Sequence, residues 1–467
     1  MRISAINHTQ IVANACRMEG DYFLNDYSFL SMLLDNHKSS CEKLGNLAEV
    51  FNPSVFKRQF CVKSSRSVEY FQSSDVSCLF ENSPVSIFKG QAESLNLLVK
   101  KDDILVTGFG TIGNVRLVSK YQDGKCFANN VCRIRVNNNK YLGYVYAFMA
   151  SKYGEAQLNR NATGSVVRYI EAPNIKKTLI PIFSDSFILL VNDLILSASH
   201  LREEATDYLY RAQLLLKKKA NLPDLTPDYY DYYGPADPYR TVSTFIRKRK
   251  DTDATTLNAF NHSERIKGLE RMIGCECCHL EDVLLGGEFF STGSFPRVEV
   301  KEKHGIMLVN QSDIFDNIIK GKYISKRGVK TNNLVEYGEV MIAGVGTLGE
   351  NETFCRTIFA NEDLEGQLVS GEFLRMKTNG KVPSGYLYAW LSSDYGFRLI
   401  RSTQTGTKLC RPIQKLLLKK KIPIIDSESM NEIDELVREA QTKRHKANQM
   451  ELKAISMVEQ EIEKWSN

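Results

Sequence analysis

The chain has 467 residues, of which 43% are hydrophobic and 25% charged, and its net charge is +6 at pH 7. This length suits two or three domains with ordinary globular composition, and the small net charge is weak evidence for a nucleic-acid partner. No run of about 18 apolar residues is present, the N-terminus lacks the apolar core of a signal peptide, and eleven cysteines are scattered, so we expect a cytoplasmic protein.

The first part of the chain predicts a helix followed by a sheet. Apolar residues at helical spacing predict a helix from Tyr27 to Asn36. Short β-rich runs separated by Gly, Asn and Ser predict a mixed antiparallel sheet from Val62 to Val136. We then expect a helix from Tyr141 to Tyr153, a polar loop from Asn159 to Arg168, and a last strand near Leu179 to Ile182.

Two long helices are predicted by apolar residues that recur every three or four positions. The first keeps a heptad spacing without interruption from Phe187 to Leu215 and ends at a lysine run before Pro223. The second has a looser heptad from Met430 to Val458, interrupted at Arg444 and Glu451. Apolar seams of this kind favour mutual packing of the two helices.

Several motifs occur twice in the same order. Gly-x-Gly-Thr-(Ile/Leu)-Gly occupies 108–113 and 344–349, and Phe-Ala-Asn occupies 127–129 and 359–361. A segment with Gly-Tyr-(Val/Leu)-Tyr-Ala occupies 143–154 and 385–396. Thr-Gly-(Ser/Thr) occupies 163–165 and 405–407, and a segment with Ile-Pro-Ile occupies 179–182 and 421–424. Separations of 236 to 242 residues, with 232 for Phe-Ala-Asn, indicate duplication of a whole domain and exclude a solenoid.

The glycine motif invites a dinucleotide-binding interpretation. That interpretation requires a helix directly after the glycines, so that the phosphates meet its N-terminus. The strand-like segment Asn114 to Val118 follows instead, and no acidic residue ends a second strand in either copy. We therefore predict a tight hairpin between core strands and no cofactor.

The chain offers little for metal binding or catalysis. Cys275-Glu-Cys-Cys-His279 resembles half of a zinc site, but a structural zinc needs four ligands and the next cysteine downstream is Cys355. We therefore expect free cysteines and no metal. No Ser/His/Asp or Cys/His catalytic group occurs in both copies, and neither does the cluster of carboxylates and a lysine that a nuclease needs. The Asn/Asp-Pro-Pro-aromatic motif of adenine methyltransferases is also missing.

Polar, basic loops are the candidate nucleic-acid contacts. Each copy has such a loop around Thr-Gly-(Ser/Thr), at 160–168 and 401–411, with side chains suited to phosphates and base edges. A solvated loop is the alternative for either copy alone, and the recurrence favours a function. With two further basic clusters, the predicted DNA-binding residues are Arg66, Arg160, Asn161, Thr163, Ser165, Arg168, Lys326, Arg327, Arg401, Gln404, Thr405, Thr407, Lys408 and Arg411.

The order and duplication of these motifs resemble the DNA specificity subunits of type I restriction–modification systems, over roughly residues 17 to 467. The resemblance implies an α/β (α+β) fold with two tandem target recognition domains, each followed by a long helix, and the two helices form an antiparallel coiled coil. The implied first recognition domain spans 1–183 and the first spacer helix 184–222. The implied second recognition domain spans 223–425, with a connector at 224–256, and the second spacer helix spans 426–467.

The resemblance also implies a non-catalytic, cytoplasmic subunit that recognises a bipartite DNA site, one half per recognition domain, in phage defence. The implied partners are double-stranded DNA, adenine DNA methyltransferase (modification) subunits and a restriction/translocase subunit. Two alternatives stay open. One is an enzyme with intrinsic nuclease or methyltransferase activity, and the other is a DNA- or RNA-binding regulator of similar fold without a methyltransferase partner.

Overall fold

The chain folds into two compact units, each with its own mixture of helices and strands. The computed structural model describes residues 6, 8–13, 23, 26–164, 167–225 and 246–466. Unit 1 comprises Met1–Glu203 with Lys446–Asn467, and unit 2 comprises Glu204–His445. The expected α/β (α+β) class with two tandem domains is confirmed. No helix among the described residues is long and apolar enough to cross a membrane.

Unit 1 contains two four-stranded sheets. Its helices are α1 (His8–Ala13), α2 (Asp26–Asn36), α3 (Leu44–Leu47), α4 (Lys89–Ser94), α5 (Leu142–Ala150), α6 (Lys152–Asn161), α7 (Ala172–Ile175) and the first part of α8 (Asp185–Lys219). Its strands are β1 (Cys41–Lys43), β2 (Ala48–Phe51), β3 (Phe60–Cys61), β4 (Ser67–Phe71), β5 (Ser86–Phe88), β6 (Ile104–Thr107), β7 (Val115–Leu117), β8 (Cys126–Phe127), β9 (Val131–Val136) and β10 (Leu179–Pro181). The strand orders are β2-β9-β6-β7, β3-β5-β4-β8 and β1-β10.

The core of unit 1 has two apolar parts. Strand β6 is buried along its whole length, and α5 packs against its sheet with almost every residue buried. A helix that is surrounded by protein on all sides is apolar all round, as α5 is. The second part covers the β3-β5-β4-β8 sheet, where the Phe71 and Phe127 rings stack with centroids 4.7 Å apart.

The helix predicted from Tyr141 to Tyr153 is wrong in extent, because the chain breaks at Ser151. This residue has an extended backbone (φ −75°, ψ 161°), and its hydroxyl accepts a hydrogen bond from the Gly154 amide, which caps α6. A Cβ at Gly154 would collide with the Phe148 carbonyl oxygen, so the two helices can meet only at glycine. Helix α6 then continues to Asn161, and the predicted polar loop begins only after it.

Unit 2 contains two three-stranded sheets. Its helices are the last part of α8, α9 (Glu264–Arg271), α10 (Ser384–Ser392), α11 (Asp394–Arg401), α12 (Gln414–Leu418) and the first part of α13 (Ser427–Glu463). Its strands are β11 (Cys277–His279), β12 (Gly305–Val309), β13 (Lys322–Ser325), β14 (Val340–Ala343), β15 (Thr357–Phe359), β16 (Leu368–Val369), β17 (Phe373–Met376), β18 (Gln404–Thr405), β19 (Arg411–Pro412) and β20 (Lys421–Pro423). The strand orders are β15-β14-β17, β13-β12-β16, β11-β20 and β18-β19.

The strand pairings of unit 1 recur in unit 2. Strand β14 pairs antiparallel with β15 and β17, as β6 pairs with β7 and β9. The parallel pair β12–β16 likewise corresponds to β4–β8. The turn after β6 has seven residues (108–114) and the turn after β14 has thirteen (344–356). This insertion of six residues explains why the motif offset rises from 236 to 242.

The correspondence drawn between the two Phe-Ala-Asn motifs is wrong. Phe127 lies in β8, which pairs with β4, whereas Phe359 lies in β15, the counterpart of β7. A three-residue match therefore joined two different strands, and its deviating offset of 232 residues was the only sign in the sequence.

The long helices α8 and α13 pack antiparallel in both units, and the predicted coiled coil is confirmed. In unit 1, the apolar core joins early residues of α8 to late residues of α13: Ile188, Val191, Ile195, Ala454, Val458 and Ile462. In unit 2, it joins late residues of α8 to early residues of α13: Ala212, Leu216, Met430, Ile433 and Val437. Ion pairs follow the same order, Arg202 with Glu451 in unit 1 and Glu204 with Lys443 in unit 2.

Candidate nucleic-acid interface

In unit 1, the repeated Thr-Gly loop forms the tip of a hairpin that lies against the glycine turn. Thr163 and Tyr169 exchange two backbone hydrogen bonds of 2.8 Å, which close the hairpin. The Gly110 amide donates to the Arg168 carbonyl at 3.4 Å, which ties the tip to the turn at 108–113. Two motifs that are about fifty residues apart in sequence therefore form one surface feature.

Unit 2 builds the same arrangement. Its hairpin consists of β18 and β19, with Thr405 opposite Arg411. The Cys410 amide donates to the Gly346 carbonyl at 2.7 Å, and the Gly346 amide donates back at 3.2 Å. Gly406 has φ +98°, and a Cβ there would lie 2.6 Å from the Leu409 carbonyl oxygen. The equivalent Gly164 has φ +96°, so the tip needs glycine in both copies.

The two glycine turns differ. In unit 1, the Thr107 amide donates to the Asn114 carbonyl at 3.0 Å, and the predicted tight hairpin between core strands is confirmed. In unit 2, the longer turn at 344–356 connects the corresponding strands. The tight-hairpin prediction is wrong for this copy, because the six additional residues form a larger loop.

Arg401 holds this larger loop from inside. Its side chain is completely buried, and its guanidinium donates to the carbonyl oxygens of Leu348 at 3.1 Å, Gly349 at 2.8 Å and Phe354 at 3.2 Å. It also lies over the Phe397 ring, 4.2 Å from the centroid. These contacts give Arg401 a structural role in holding the turn at 344–356.

Two other predicted site residues are also inside the protein. Arg160 lies at the end of α6, and its Nη1 atom is 2.6 Å from Asp35 Oδ2 on α2. The buried Gln404 lies in β18, where its carbonyl accepts a hydrogen bond of 2.9 Å from the Asn261 amide. Arg160 is also not the counterpart of Arg401, because the offset of 242 in this region aligns Arg401 with residue 159.

The remaining predicted residues lie on the surface or near it. Exposed residues of the unit 2 hairpin are Thr405, Thr407, Lys408 and Arg411. Half-buried residues at the unit 1 hairpin are Asn161, Thr163 and Arg168, and Ser165 lies outside the described residues. The exposed Arg66, Lys326 and Arg327 lie in other elements, directly before β4 and directly after β13.

The sequence interpretation missed one apolar residue at each hairpin tip. Val167 and Leu409 are 242 residues apart, which is the offset of the surrounding elements, and each is 61% exposed. Both occupy the last position of a shared pattern, Thr-Gly-(Ser/Thr)-x-(Val/Leu), which was visible in the sequence. The predicted DNA contacts included only polar and charged residues, so Val167 and Leu409 were not among them.

Burial disfavours the charged thiolate form in the cysteine cluster of unit 2. Burial raises the pKa of Cys277 to about 11 and raises the pKa values of Cys275 and Cys278. Among the residues that the structure describes, no group of three or more His, Cys, Asp or Glu side chains could hold a metal ion.

The family of the first unit follows from a comparison with known protein families. Residues 39–184 match the family described as type I restriction modification DNA specificity domain. This match makes residues 39–184 similar to a DNA specificity domain. The resemblance drawn from the motifs is confirmed, and both the glycine turn at 108–113 and the hairpin at 163–169 lie within this specificity domain.

Solved structures of specificity subunits are also similar to this chain. The type I restriction–modification S subunit from M. genitalium is 12% identical, with a TM-score of 0.31, and the match covers 91% of this chain and 95% of that one. The HsdS subunit from Thermoanaerobacter tengcongensis is 13% identical, with a TM-score of 0.28 and the same coverage of both chains. No curated protein matches the chain in sequence.

Proposed function

We propose that the chain is the specificity subunit of a type I restriction–modification complex and that each unit recognises one half of a bipartite DNA site. The observation that carries this proposal is the recurrence in unit 2 of the hairpin and glycine turn found in the specificity domain of unit 1. In this proposal, the recognition domains span 1–183 and 223–425, and the spacer helices span 184–222 and 426–467. The chain itself transfers no methyl group and cuts no DNA.

The hairpins are the proposed DNA contacts. Lys408 and Arg411 supply exposed positive charge beside the hydroxyl groups of Thr405 and Thr407, a combination that suits phosphate oxygens. Asn161, Thr163, Ser165 and Arg168 take this role in the first recognition domain, and Arg66, Lys326 and Arg327 add phosphate contacts from other elements. The remaining three predicted residues are buried and are not proposed as DNA contacts: Arg160, Arg401 and Gln404.

The long helices are the proposed docking surface for adenine methyltransferase subunits, which in turn bring a restriction/translocase subunit to the DNA in the cytoplasm. In unit 1, three leucines of these helices lie outside the apolar seam and are exposed: Leu189 (43%), Leu190 (52%) and Leu452 (49%). Tyr210 (62%) and Leu214 (48%) do so in unit 2. Leu189 and Leu190 are consecutive in α8, and this exposed apolar pair supports a protein partner on the face that carries it.

Sequencing of modified bases in the host genome tests this function. We expect one bipartite motif with N6-methyladenine that disappears when the gene is deleted and returns when the gene is restored. Replacement of one unit by the unit of a related subunit should change one half-site and leave the other half-site intact. A methylome that is identical with and without the gene would contradict the proposal.

Docking is tested separately. The double substitution Leu189→Glu with Leu190→Glu should abolish copurification of the methyltransferase subunit, since two carboxylates would replace apolar contacts. The matched control is Val55→Glu, because Val55 is 87% exposed and lies outside the long helices. Copurification that survives the double substitution would remove this face from the interface.

A further inference from the structure

The two hairpin tips share an exposed apolar residue two positions after the repeated Thr-Gly-(Ser/Thr) motif. Val167 and Leu409 are equivalent in position and are both 61% exposed. The residues that follow them, Arg168 and Cys410, differ. A single exposed apolar side chain is ordinary on a protein surface. Its recurrence at the same place in both units indicates a common task.

The backbone next to each side chain is held firmly. Cys410, directly after Leu409, is 1% exposed and exchanges two hydrogen bonds with Gly346. In unit 1, the carbonyl of Arg168, directly after Val167, accepts a hydrogen bond from the glycine turn. The residue after each apolar side chain is therefore tied to the glycine turn, which reduces the conformational freedom lost on binding a ligand.

The chemistry around Leu409 indicates which ligand this is. The exposed Lys408 precedes it and the exposed Arg411 follows two residues later, so the surface around the leucine is cationic. A polyanion complements this surface, and DNA is the polyanion that the proposed function already requires. Within the major groove of DNA, the apolar group available to such a side chain is the C5-methyl group of thymine.

We propose that Leu409 and Val167 are specificity-determining residues and that each contacts the C5-methyl group of a thymine in the half-site of its own unit. This inference rests on the proposed function and adds to it a base and a chemical group for each hairpin. Lys408 and Arg411 position the unit 2 hairpin on the phosphates, and each apolar tip selects thymine. Removal of one methyl group from such a contact weakens binding about four-fold, because burial of a group of this size contributes that much.

Deoxyuridine, which lacks the C5-methyl group, provides the test. The full-length chain is bound to a duplex that contains its methylation motif, and each thymine on either strand is replaced in turn by deoxyuridine. We expect one position in each half-site at which the dissociation constant rises about four-fold. Leu409→Ala should lose this effect in the half-site of unit 2 and keep it in the other half-site, and Val167→Ala should do the reverse.

The matched control is Leu285→Ala, because Leu285 is also in unit 2 and is 62% exposed, but lies outside the hairpin. It should keep both deoxyuridine effects. If wild type shows no such effect, or if Leu409→Ala shows the same effect as wild type, the inference is overturned and bipartite recognition stands. A chain that binds the motif no better than a scrambled duplex would instead overturn the proposed function.

Discussion

Arg375 and Glu339 form a two-point ion pair inside unit 2. Arg375 Nε lies 2.9 Å from Glu339 Oε2, Nη2 lies 3.0 Å from Oε1, and both side chains are 1% exposed. The counterpart in unit 1 is Arg133, which donates to four backbone carbonyls and whose pKa burial lowers to about 10. The two units therefore bury an arginine at the same position of the sheet and satisfy it with different acceptors.

Glu339→Ala should lower the free energy of unfolding of unit 2 by about 3–5 kcal/mol, because it leaves the Arg375 charge buried without its carboxylate. The measurement is urea unfolding followed by the fluorescence of Trp390, a core residue of unit 2, in a Trp465→Phe background. The matched control is Glu299→Ala, because Glu299 and Lys322 form an ion pair in which both side chains are more than 60% exposed. This control should cost about 0–1 kcal/mol, and equal losses in the two variants would contradict the prediction.

Glu451 interrupts the heptad of α13, and it should stabilise unit 1 through its polar partners. Its Oε1 atom accepts a hydrogen bond of 2.8 Å from Tyr146, and its other oxygen forms an ion pair with Arg202. Glu451→Ala should destabilise unit 1 by about 3–5 kcal/mol, because it removes a buried carboxylate and leaves the half-buried Arg202 without its charged partner. Tyr146→Phe should cost about 1.5–3 kcal/mol, because it removes one hydrogen bond to a charged group. Hydrogen exchange of peptides from α5 and α13 measures the loss of stability in both variants. Unchanged protection in Glu451→Ala would contradict a stabilising role of Glu451.

Exposed and buried cations of the unit 2 loop should behave differently on substitution. Lys408→Ala and Arg411→Ala should each reduce the slope of log affinity against log salt by about 1 and leave the thermal melting temperature unchanged, since each removes a phosphate contact from the surface. Arg401→Ala should lower the melting temperature, because the carbonyls of the turn at 344–356 lose their donor.

Anisotropy titrations over a range of salt concentrations provide the measurement for these variants. The control Lys381→Ala removes an exposed charge of unit 2 away from the hairpin and should keep the wild-type slope. Wild-type slopes for both Lys408→Ala and Arg411→Ala would place the hairpin outside the DNA contact.

The length of the long helices should set the gap between the half-sites. Four residues inserted after Thr206 in α8 and four after Arg444 in α13 lengthen both helices by roughly 6 Å. At about 3.4 Å per base pair, the methylated motif should gain one or two base pairs in its gap and keep both half-sites. Sequencing of modified bases gives the result, and a motif with its original gap would contradict the model.

Insertion into α8 alone is the matched control. It leaves α13 unchanged, so apolar positions of the two helices no longer face each other along the whole seam. We expect this variant to melt at a lower temperature than the variant with both insertions.

Local patterns in the sequence determined the elements of the fold. The helix predicted from Tyr27 to Asn36 is α2, and the heptad seams are α8 and α13, because helical spacing of apolar residues is a local property. The break at Ser151 was missed, since it depends on a capping hydroxyl and on contact between two helices at Gly154. The order of the motifs also indicated the duplication. Only the strand pairing showed that the two Phe-Ala-Asn motifs lie in strands that are not equivalent.

The tertiary structure decided which residues of the predicted loops face solvent. Arg401 and Arg411 are ten residues apart and look alike in the sequence, yet Arg401 is completely buried and Arg411 is exposed. The difference arises because the turn at 344–356, which is distant in sequence, places its carbonyl groups against the Arg401 guanidinium. The exposure of Leu409 depends on the same long-range contact, since Gly346 pins its neighbour Cys410. A linear pattern records spacing along the chain, whereas burial depends on what the folded chain places around a side chain.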